Sequence, residues 1–134
     1  MERIVRILIK TTTPGGPDDW SIERLSLLTE HLASLREDGT RFDVTARNRE
    51  SGPNGDDPLL TALDRSRSSG GNLLGRGVAE SSFHHFADYN WDTSRGAPSF
   101  VTEPEGQGMK TEPRALSDIK QYVRNLAFWL APPA

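Results

Sequence analysis

Two strand-patterned runs with one amphipathic helical pattern between them constrain this chain more than any other feature. Ile4 to Ile9, IVRILI, is a β-branched run broken only by Arg6, the pattern of a strand buried on both faces of a parallel sheet. From Trp20 to Arg36 the apolar residues Ile22, Leu25, Leu28, Leu32 and Leu35 recur at steps of three and four, which places them on one helical stripe. Gly39 closes that helix, and Arg41 to Arg47, RFDVTAR, alternates Phe42, Val44 and Ala46 with charged or polar neighbours, so a second strand exposed on one face follows. Strand, helix, strand is a βαβ unit. Its right-handed crossover predicts two parallel, adjacent strands with the helix covering one face.

The rest of the chain offers weaker patterns. Thr11 to Asp19, TTTPGGPDD, is a breaker-rich loop with Asp18 or Asp19 as helix cap, and it lacks the glycine and lysine pattern of a phosphate loop. Residues 48–57 read as a polar loop, 58–63 as a short helix, and 64–75, DRSRSSGGNLLG, as a flexible low-complexity segment. Arg76 to Glu80 is a third strand weakened by Gly77, and residues 92–111 form a long surface loop. Glu112-Pro113 opens a last helix with the stripe Leu116, Ile119, Val123, Leu126 and Leu130, ended by Pro132 and Pro133. These elements predict one small α/β domain over residues 1–134, with a short, mostly parallel three-stranded sheet flanked by helices.

Composition narrows the function classes. At 134 residues with 34 % hydrophobic content and a mean hydropathy of -0.59, the chain has material for one modest core. Its net charge is -3 and its basic residues are scattered, which argues against a nucleic acid partner. The N-terminal apolar run is too short to span a membrane and lacks the features of a signal peptide, so a cytoplasmic protein with no membrane partner is expected. With no cysteine, thiolate metal sites and cysteine nucleophiles are excluded.

The chemistry-bearing residues concentrate in Arg76 to Phe100, RGVAESSFHHFADYNWDTSRGAPSF. His84, His85, Asp88 and Asp92 are spaced so that His84, Asp88 and Asp92 share a helical face, and imidazole with carboxylate suits zinc, manganese or iron. Glu80, His84 and His85 are the candidate catalytic groups, Glu80 as a base for metal-assisted hydrolysis. Ser81 and Ser82 lack the flanking glycines of a nucleophile elbow and read better as turn caps. Phe86, Tyr89 and Trp91 form either an aromatic wall for a sugar or other small-molecule ligand, or the cover of a thin core.

The segments ILIKTTTPGGPDDWSIERLSLLTEHL, GRGVAESSFHHFADYNWDTSRGAPSF and DIKQYVRNLAFWL together resemble an uncharacterised bacterial family of the class I glutamine amidotransferase-like, or trehalose-utilisation-like, flavodoxin-type superfamily. The resemblance implies a flavodoxin-like sheet opened by the first strand and helix and closed by a motif like Gly75 to Asp92. Such relatives carry further strands where this chain has residues 64–75, so the fold is expected to be shortened. Cys-His chemistry of glutamine hydrolysis is removed by the absence of cysteine. The expected role is a non-catalytic remnant or interaction domain that pairs as a homodimer. A metal-assisted hydrolase and a carbohydrate or small-ligand module are the competing expectations.

Overall fold

A computed structural model describes residues 1–11, 13, 21–48, 75–80 and 84–131. The helix expected at 58–63, the segment 64–74, the proposed caps Asp18 and Asp19, and Ser81 and Ser82 lie outside the described residues. Strand β1 (Arg3–Lys10) is followed by helix α1 (Ser26–Ser34), strand β2 (Arg36–Glu37) and strand β3 (Thr40–Arg47). The two long strands are parallel and adjacent, with Val5 opposite Phe42 and Ile7 opposite Val44. The strand order β1-β3-β2 puts β3 in the centre of a three-stranded mixed sheet.

The short strand β2 is antiparallel to β3 and is joined to it through Asp38 and Gly39, whose φ values are 50° and 71°. Two consecutive positive φ angles are what a two-residue type I′ hairpin requires, and Asp-Gly is among the dipeptides that tolerate them best. Gly39 therefore serves the hairpin, and the helix before it is shorter than the span 20–36. Its first turns are replaced by a 3₁₀ turn at Ile22–Arg24, and Leu35 is already extended.

The expected third strand at Arg76 to Glu80 is corrected. Those residues are exposed and belong to no strand, and β2 takes the place beside β3. Gly77 weakens the segment as a strand, and its polar side chains bond elsewhere. The Arg76 guanidinium lies 5.0 Å from the ring centroid of Trp129 and donates to the Trp129 carbonyl, while the Tyr122 hydroxyl donates to Glu80 at 2.8 Å. The segment thus runs along the outside of the C-terminal helix.

That helix is the longest element. Helix α2 (Asp88–Trp91), a 3₁₀ turn at Thr93–Arg95 and helix α3 (Gly108–Thr111) precede helix α4 (Pro113–Leu130), so the expected loop over 92–111 carries short helical turns. Pro113 stands at the start of α4, where its missing N–H costs nothing. No helix among the described residues is long and apolar enough to cross a membrane.

One core unites these parts. Val5, Ile7 and Phe42 from the sheet join Leu25, Leu28 and Leu32 at α1, and Val123 and Ala127 of α4 with Ala131 just after it, while Phe86 and Trp91 close one end. The stripe of α1 is as expected, whereas that of α4 drifts. Below Val123 the buried positions are Ala127 and Ala131, with Leu126 and Leu130 only half-buried. Alanine at the contact lets the helix approach closely, and Phe128 meets Phe42 edge to face at 5.1 Å.

Both helices occupy the same sheet face. Burial alternates along β1, with Val5 and Ile7 buried while Ile4 and Leu8 remain 50 % and 40 % exposed. The expectation of a strand buried on both faces is corrected accordingly. Truncating Phe42, which is 3 % exposed at the centre of the sheet, removes contacts to α4 and leaves a cavity. Phe42→Ala is expected to lower stability by about 3–5 kcal/mol in denaturant unfolding, with a smaller loss for Phe42→Leu.

Candidate functional site

Among the expected site residues, Asp88 has a structural use. It is 6 % exposed, and its carboxylate accepts the Leu27 backbone N–H at 2.7 Å and the Ser26 hydroxyl. Leu27 is the second residue of α1, where the N–H has no partner inside the helix. The residue before α1 is Leu25, which has no capping oxygen, so Asp88 acts as a cap delivered from far along the chain. Its negative charge also faces the positive end of the α1 dipole.

The segment around Asp88 is stitched by local bonds. The Trp91 indole donates to the His85 carbonyl at 2.7 Å, and the Asn90 amide donates to the His84 carbonyl. Asp92 accepts the Ser94 backbone N–H at 3.0 Å and the Ser94 hydroxyl at 2.7 Å, which caps the turn at Thr93–Arg95. The hydrogen bonds from Ser94 hold the Asp92 carboxyl below the usual range, and Arg95 and Lys110 add smaller electrostatic contributions in the same direction.

The metal quartet is not assembled. Among the described residues no three His, Asp or Glu side chains form a group that would hold a metal ion. Asp88 is drawn into the α1 cap and Asp92 onto Ser94, while His84 and His85 stand exposed at the surface. Glu80, the candidate base, receives the Tyr122 hydroxyl on the outside of α4, and that bond, with a smaller effect of burial, raises the Tyr122 pKa.

The aromatic residues divide in the same way. Phe86 is buried and stacks on Tyr122, with centroids 6.2 Å apart and planes 11° off parallel. Trp91 is 6 % exposed, with the His31 ring at 6.0 Å against it and the Lys120 ammonium 5.7 Å from its centroid. Both close the core, so they do not form an open ligand wall. Tyr89 is half-buried and faces a groove of about 640 Å³ whose walls are residues 84–93 and 106–115.

A second polar cluster lies at the C-terminal ends of the parallel strands, where α/β folds place their ligand loops. Asn48 accepts the Ile22 backbone N–H at 2.8 Å and the Thr11 hydroxyl at 2.9 Å, and its amide donates to both oxygens of Glu23 at 3.1 and 3.2 Å. The Ser21 hydroxyl donates to the same carboxylate and is the main reason that the Glu23 pKa is lowered. Asn48 opens the polar loop that the sequence pattern predicts over 48–57. Its signal was an amide residue directly after the last strand position, within reach of the chain entering the helical region.

Two measurements test these roles. Asp88→Ala is expected to lower stability by about 1–3 kcal/mol, Asp88→Asn by less, and neither loss changes on adding a chelator. The depressed Asp92 carboxyl stabilises the folded state above its ordinary pKa, and that contribution disappears as pH falls through the lowered folded value. Ser94→Ala therefore moves the Asp92 titration upward in carboxyl-carbon NMR and shifts the acid limb of stability to higher pH.

Compared with known proteins, the chain matches no family model, no curated protein and no solved structure.

Proposed function

We propose that the chain is a non-catalytic interaction domain that pairs with a second copy of itself along β1. The observation that carries this reading is the position of β1. It is an eight-residue outer strand that pairs with β3 alone among the described residues, and it exposes Ile4 and Leu8. A long outer strand with exposed apolar side chains is a template for another strand. The carboxylates expected to do chemistry support the same reading, since Asp88, Asp92 and Glu80 each hold a turn, a cap or a segment in place. In this reading the chain is a shortened relative of the amidotransferase-like superfamily, and the second copy supplies the sheet neighbour that further strands supply there.

Side-chain alternation limits the register of a two-fold pairing. An antiparallel pair centred on Arg6 would set Arg6 against its own copy, which is repulsive. Centring it on Ile7 avoids this. Ile7 then meets Ile7, Val5 meets Ile9 on the core side, and Leu8 meets Arg6 on the outer side. The cores of both copies become continuous across the sheet.

Light scattering and sedimentation over a hundredfold concentration range test the pairing. A dimer of the 14.8 kDa chain is expected, with a melting temperature that rises with concentration. Leu8→Lys places like charges opposite Arg6 twice by symmetry and weakens the dimer by about two- to thirty-fold, whereas Leu8→Glu tightens it. A folded monomer at every concentration would overturn the pairing, and equal effects of Lys and Glu would overturn the register.

A further inference from the structure

No further inference is drawn: the strongest candidate, the surface patch of exposed Val78, Tyr122 and Trp129 side chains where residues 75–80 run along the outside of α4, carries nothing because nothing in the structure shows what covers it.

Discussion

A buried carboxylate holds the two halves of this chain together. Asp88 reaches back 61 positions to the Leu27 N–H and also takes the Ser26 hydroxyl, so the start of α1 is completed by a residue that follows the whole βαβ unit. The consequences run in both directions. Without that acceptor the first amides of α1 lack a cap, because Leu25 has no oxygen to offer. Without those donors a carboxylate that is 6 % exposed would be buried with its charge unmatched. Phe86, Ala87 and Trp91 are buried around Asp88, which means that the cap and the closing of the core form as one unit.

The βαβ frame was readable in the sequence because it depends on repeating side-chain periods. The three-and-four spacing of Leu25, Leu28 and Leu32 corresponds to a buried face, and the alternation along β3 to a buried Phe42 with half-buried Val44 and Ala46 on the same side. The third strand was not readable from periodicity, since Arg36–Glu37 is two residues long and has no period. Its signal was chemical. The Asp38-Gly39 dipeptide is a hairpin turn, and reading Gly39 as a helix terminator concealed it. On α4 the sequence stripe favoured the largest side chains, Leu126 and Leu130, while the structure uses Ala127 and Ala131 to bring helix and sheet together. Size does not report which side of a helix faces a close neighbour.

The segment from Glu80 to Asp92 shows why site residues are harder to read than frames. Four residues whose types suit a metal lie within nine positions, yet side-chain direction separates them. Asp88 points to a helix end, Asp92 to the hydroxyl and amide two residues on, and the histidines to the surface. Acidic residues near turns and helix starts have a structural use at hand, because unpaired amides collect there. A ligand set therefore has to outcompete capping, and in this chain capping takes both aspartates.

The distance in sequence between the sheet and α4 has a consequence for synthesis. Phe42 and its partner Phe128 belong to opposite ends of the chain, so the apolar face of β1, α1 and β3 is complete long before the helix that covers it exists. At cellular elongation rates of roughly 5–20 residues per second that interval is on the order of ten seconds. For that time the nascent unit presents Val5, Ile7 and Phe42 without α4, and whatever shields it while the remaining residues are made has to yield that surface when Val123 and Ala127 arrive.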